Sequence, residues 1–519
     1  MSASASSLGP LPVVIGVTGH RDLRDKDRSA LEKLVGEFVD GLRKRCPHTP
    51  ILVACRLAEG ADRLAAKKAM ASGAKLVAAL PMVQGLFESD FVSQESKAEF
   101  RDLARQAEIR FSVPLAEGCT IENIRDEGPH RSKQYAAAGT WIVEHCDILV
   151  ALWDGADRRL VGGTDHIVRM ASGRHPVLHI YTPRASKPTP ADATPSAKMI
   201  GGEIVEKPYE TTLAQIEAFN AAAARHRVSD GLELSTATKA SLLPESAQVL
   251  SRNYAMLATM SQSAAAGTRQ PFARALQVTV AAVLALFAYA AAWPNPAVGV
   301  LAVVLLGVAA FLLKQQGSLT EQQRRARDYE ALSGAVSVQF FWKAAGVEDA
   351  VTDWFLRGHR GAWIWMQRAL SAWNFPVAGE KNAGASDVRR VLDEWIAASR
   401  HENGSKCPGT GPFIVGSVAM SAVAVVVGLF PGWGELARGI LVTLAGGSLA
   451  SAAAVRICVL DTVGGARGQI ADLLARARER ANAYLERNDP AGAKRALRDA
   501  GRDVLAMIES DLRLSATGK

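Results

Sequence analysis

The chain has 519 residues, with 60 Lys and Arg against 52 Asp and Glu, a net charge of +8 and a mean hydropathy of +0.05. That length allows two or three domains, and the basic excess forms no concentrated stripe in the first of them, so nucleic acid is not an expected partner. Cys46, Cys55, Cys119, Cys146, Cys407 and Cys458 form no C-x-x-C pair and have no histidine at ligand spacing, which argues against a zinc module or a disulfide framework and predicts no metal site.

The opening MSASASSLGP has no basic stretch leading into an apolar run, so no secretory signal is expected. Apolar, β-branched runs then follow at 13–17, 51–55, 75–80, 147–153 and 176–181, with helical stretches at 28–45, 61–72, 90–106 and 133–145. Short continuous apolar runs separated by helices predict a parallel sheet covered on both faces. Ligands of such sheets bind at the carboxyl ends of the strands. After the first strand come Thr18, Gly19, His20 and Arg21, where a tight glycine turn would let the side chains face a phosphate or carboxylate. After the second come Glu59, Gly60, Asp62 and Arg63, running into a helix whose first N–H groups form an anion site. Glu59 and Asp62 fit a ribose hydroxyl or base edge there, while Asp62 alone fits a helix cap. After the fifth come Asp154 and Gly155, then Gly162, Gly163 and Thr164 opening another helix, again in the manner of a phosphate cradle. Three glycine-bearing loops at three strand ends predict a nucleotide-like ligand. No G-x-x-x-x-G-K-[ST], H-E-x-x-H or G-x-S-x-G motif is present, so no catalytic residues are assigned, although Glu59 and Asp62 keep acid–base work open.

The segments GVTGHRDL (16–23), LAEGADRLAA (57–66), ALP (79–81), CDILVALWDG (146–155) and GGTDHIV (162–168) together resemble the SLOG superfamily. These are Rossmann-like domains related to Smf-type DNA-processing proteins and lonely-guy phosphoribohydrolases. The resemblance covers about residues 12–183 and implies a site for a nucleotide or NAD-derived molecule on the thirteen loop residues just named, with no bound cofactor. Lonely-guy enzymes carry a catalytic Glu three residues after the motif Thr; here that place is Ile167, and Leu160-Val161 replace the preceding Pro and its neighbour. The resemblance therefore implies sensing rather than hydrolysis.

Beyond this domain (1–183), residues 184–209 read as a linker, its first part rich in Pro, Ala, Ser and Thr, and 210–274 as an amphipathic helical connector. Apolar runs at 275–293 and 297–313, joined by Pro294-Asn-Pro296, and at 412–430 and 438–455, joined around Pro431-Gly-Trp-Gly434, each reach the length of a membrane span. They predict hairpins over 275–313 and 412–457, giving an α/β Rossmann-like domain followed by an all-α transmembrane domain with four spans in two hairpins. Arg269, Arg274, Lys314, Arg324, Arg400, Lys406 and Arg456 flank the spans on one side. The expectation is a multi-pass inner-membrane protein with its N-terminal domain, central insert (314–411) and C-terminal helices (458–519) in the cytoplasm. The insert is rich in tryptophan, and 464–514 carries apolar residues at helical spacing.

The hairpins with RDYEALSGAVSVQFFWKAAG (327–346) resemble SLATT modules, membrane effectors of bacterial conflict systems. That resemblance implies a homo-oligomer in a lipid bilayer, a genetic partner that makes the nucleotide signal, and permeabilisation of the inner membrane on binding it, in antiphage or other conflict defence. A membrane-tethered nucleotide-cleaving enzyme and a ligand-independent channel or scaffold are the rival expectations.

Overall fold

The computed structural model describes residues 11–187, 192–201, 203–226, 247–265, 316–357, 363–374, 385–401 and 463–517, with the single positions 234, 304 and 308. The chain divides into two units. The first comprises Met1–Arg227, Ser235–Asn253 and Ala350–Asn382, the second Val228–Leu234, Tyr254–Asp349 and Ala383–Lys519.

In the first unit the apolar runs form β1 (Val13–Gly19), β2 (Ile51–Cys55), β3 (Lys75–Leu80), β5 (Ile148–Trp153) and β6 (Val177–Tyr181). Two more strands, β4 (Ile109–Ser112) and β7 (Ser196–Ile200), complete a seven-stranded sheet in the order β4-β3-β2-β1-β5-β6-β7. All pairs are parallel except β6 with β7. The central strands are buried along almost their whole length, because helices cover both faces. The helices are α1 (Arg28–Arg45), α2 (Ala61–Ala71), α3 (Gln84–Glu88), α4 (Gln94–Gln106), α5 (Pro129–His145), α6 (Thr164–Ala171) and α7 (Glu203–Ala223). Ala138, Ile142 and Val143 of α5 and Ile167, Val168 and Ala171 of α6 pack on Val14, Leu52, Val77, Leu149 and Val177 to form one core layer. The Rossmann-like part of the expected fold is thus present. Part of the segment read as a linker is β7, an edge strand with four of its five residues exposed, held by main-chain pairing to β6.

Residues 350–382 return to this first unit. Their helix α8 (Ile364–Trp373) packs Trp365 against Phe219 of α7, with ring centroids 5.5 Å apart. Arg368 of α8 reaches the amino ends of β5 and β6. It donates to the Cys146 carbonyl at 2.9 Å and to His175 Nδ1 at 2.9 Å, and lies 3.4 Å from the buried Asp147 carboxylate. Asp147 in turn accepts the Val14 N–H at 2.8 Å.

The second unit contains α9 (Gln316–Ala344), α10 (Ala385–His401), α11 (Val463–Glu486) and α12 (Pro490–Thr517). The last two form a hairpin. Asn488 takes a φ of 56°, the Asp489 side chain accepts the Gly492 N–H at 2.7 Å, and Pro490 begins α12. Arg478–Asp393 at 3.0 Å ties α11 to α10.

The expected four-span transmembrane domain is corrected here. No helix among the described residues is long and apolar enough to cross a membrane, and the multi-pass inner-membrane placement falls with it. The runs 275–293, 297–313, 412–430 and 438–455 lie outside the described residues. The long helices that are described fail on polarity rather than length. The 29-residue α9, for example, carries Glu321, Arg324, Arg325, Arg327, Asp328 and Glu330.

Candidate functional site at the carboxyl edge of the sheet

Between β1 and β5 the strand order reverses, so the loops leaving these neighbours turn to opposite faces and open a crevice. The residues after β1 and β5 meet there. His20 is 8% exposed, and its Nε2 accepts the Asp154 N–H at 3.0 Å and lies 3.1 Å from Asp154 Oδ1. One ring nitrogen thus faces a donor and a carboxylate together. Burial lowers the His20 pKa, and Asp154 opposes that shift. Burial by itself would raise Asp154, but the Arg158 guanidinium, the Ala156 N–H and His20 outweigh it and hold the carboxyl at about 2. Arg158 grips both Asp154 oxygens, at 3.2 and 2.7 Å. Thr18, 1% exposed, accepts from Arg56 at 3.3 Å and faces the interior.

The loop after β2 is packed into the structure. A Cβ on Gly60, whose φ is 77°, would lie 2.3 Å from the Arg21 carbonyl oxygen, and a Cβ on Gly19 would lie 2.4 Å from that of Ala61. The first N–H of α2, on Ala61, is bonded to the His20 carbonyl at 3.0 Å. Asp62, 1% exposed, accepts the Ala58 N–H and lies 3.7 Å from Arg56; burial raises its pKa, opposed by that guanidinium. Arg63, 2% exposed, bonds the Leu57 and Ser96 carbonyls and Glu99, and stacks 4.3 Å over Phe91. Ser96 also bonds Glu59. Asp62 and Arg63 are structural clamps with no free edge for a ligand.

The loop before α6 is partly closed as well. The Gly162 N–H donates to His166 Nδ1 at 3.0 Å, and the Gly163 N–H to the Leu160 carbonyl at 3.0 Å. Neither glycine N–H therefore serves as a cradle, which leaves Thr164 and the start of α6 facing the crevice. Gly155, with a φ of 82°, has open space around it, the nearest atom to a Cβ there being His179 Cε1 at 3.9 Å. Ile167, at the place of the lonely-guy Glu, is 1% exposed and abuts Gly139.

The site also uses side chains that sequence reasoning missed. Tyr135 of α5 lies under Arg21, with the guanidinium carbon 5.4 Å from the ring centroid. The backbone of α5 at Ser132–Ala136 abuts Gly162. Asp90 bonds Tyr135 and Arg131 and lies 3.9 Å from Arg21. Asp90 and Tyr135 are 45 residues apart, and no local pattern joins them. Arg21 remains 46% exposed at the crevice mouth, facing a carboxylate that Arg131 already neutralises.

Comparison with known proteins adds no constraint: no family model, curated protein or solved structure matches this chain.

Proposed function

We propose that the first unit binds a nucleotide-derived signal in the crevice between β1 and β5 and holds it without cleaving it. The observation that carries this reading is Arg21, half exposed over the Tyr135 ring at a strand-order reversal. A guanidinium and an aromatic face placed together suit a phosphate and a base, respectively. Arg158 and Thr164 supply a second polar wall. The chemistry favours binding over turnover, because the acidic pair that was weighed for acid–base work is divided. Asp62 is buried against Arg56, and Glu59 is bonded by Ser96. His20 Nε2 is likewise engaged by Asp154. The SLOG resemblance points to the same ligand class.

Native mass spectrometry of the full-length chain with a panel of nucleotides and NAD derivatives tests the reading. One species should be retained intact, and Arg21→Ala should weaken it by about tenfold, or about 1.4 kcal/mol. Retention by no member of the panel, or equal retention by Arg21→Ala, would refute it. Recovery of a cleaved product, lost in Glu59→Gln, would replace it with an enzyme.

A further inference from the structure

The second unit holds a cavity of about 110 Å3 whose lining residues all lie within that unit. α9 contributes Arg327, Glu330, Gly334, Ser337 and Phe341, positions at three- and four-residue spacing that share one helix face. α10 adds Trp395 and Ser399, and α12 adds Val504, Ile508 and Asp511. The Phe341 and Trp395 rings, 1% and 2% exposed, stack with centroids 4.9 Å apart and planes 17° apart, forming an aromatic wall.

The polar lining is biased toward acceptors. Ser333 gives its hydroxyl proton to the Glu330 carbonyl at 2.8 Å, Ser337 to the Gly334 carbonyl at 2.7 Å and Ser399 to the Trp395 carbonyl at 2.9 Å. A serine whose proton is held by its own helix offers only lone pairs to a guest. Glu330 and Asp511 add two carboxylates, and Arg327, one turn from Glu330, offsets one of them. The lining therefore carries one unmatched negative charge. An anion would be repelled here, and a purely apolar guest would leave the acceptors facing carbon. A cation with a small apolar body satisfies the acceptors, the charge and the aromatic wall together. A cavity of about 150 Å3 admits benzene, so this one limits the buried body to about one ring.

We infer that this cavity is a binding site for a small organic ammonium ion carrying a single ring or short alkyl group. The site is independent of the crevice in the sheet unit.

Isothermal titration of the full-length protein with phenethylammonium, phenylacetate and 2-phenylethanol tests the inference. Phenethylammonium should bind one to one, with the neutral alcohol weaker and the carboxylate undetected. Asp511→Asn, a change at the exposed rim, should weaken the amine by about tenfold. Ser337→Leu should abolish binding by filling the space. Circular dichroism confirms that both variants fold. Equal binding of amine and carboxylate would overturn the inference, as would amine binding untouched by both variants. No amine binding to folded wild-type protein at millimolar concentration would do the same.

Discussion

The turns after β2 and β5 both pivot on a glycine at positive φ, 77° at Gly60 and 82° at Gly155, yet their surroundings differ. Around Gly60 the His20 and Arg21 carbonyls leave no room for a methyl group, whereas around Gly155 nothing approaches closer than ordinary contact. The first turn joins a strand to its helix. The second leaves a mouth open beside His20 and Asp154. A glycine at a strand end is therefore no sign of a ligand until the atoms filling the space beside it are known.

The comparison can be broken by substitution. Gly60→Ala combines backbone strain with a main-chain clash and should cost on the order of 4 kcal/mol in chemical denaturation. Gly155→Ala bears the strain alone and should cost about 1 kcal/mol. Equal costs would show that the crowding at Gly60 relaxes freely. Next in size, Arg63→Met removes the clamp of the β2 loop and leaves the Leu57 and Ser96 carbonyls without their donor, a loss of roughly 3 kcal/mol. A loss under about 1 kcal/mol would reopen Arg63 as a ligand group.

Acid sharpens the contrast between the open edge and the sealed amino edge. Burial lowers the His145 pKa to about 4 and that of His175 to about 3, with Arg368 adding to both shifts. Both imidazoles stay neutral in the folded chain while the unfolded chain takes up protons below 6.5. Their contribution is therefore complete above pH 6.5 and falls as the pH drops toward those values. Denaturation midpoints should decline between pH 6.5 and 4 by on the order of 3 kcal/mol. A flat profile over that range would mean that the amino edge admits water. Asp154 has the smallest effect. Its carboxyl, held at about 2, stabilises the fold above the ordinary value of 3.8, and that contribution is lost only as the pH falls through about 2. Asp154→Asn removes the charge that opposes the burial shift of His20, so the His20 resonance in an NMR titration should move to still lower pH.

How much of this was legible depended on what each residue touches. The five long strands announced themselves because both their faces are buried and their sequences are apolar throughout. β4, Ile109–Ser112, and β7, Ser196–Ile200, gave no such signal, since they are largely exposed and joined to the sheet by main-chain bonds that any sequence can make. The fork residues Thr18–Arg21 and Asp154–Gly155 were legible from their position after strands. Whether Gly60 and Asp62 faced a ligand or a neighbour was not, because that depends on the carbonyls of residues 20 and 21 and on Arg56. Asp90, Arg131 and Tyr135 lie far from the motifs in sequence and carry no pattern of their own. For the apolar runs, length and hydropathy measure avoidance of water and do not by themselves name lipid as the cover.

The contact between Arg368 and His175 joins residues 193 positions apart, and this sets an order of events during synthesis. All seven strands leave the ribosome before residue 368 exists. At about 5–20 residues per second the sheet waits roughly 10–40 s for its guanidinium. During that interval Asp147 has no counter-ion and Phe219 lacks its Trp365 partner. The nascent sheet is therefore an incomplete body whose closure is timed by translation, and a fragment ending near residue 200 would remain permanently in that early state.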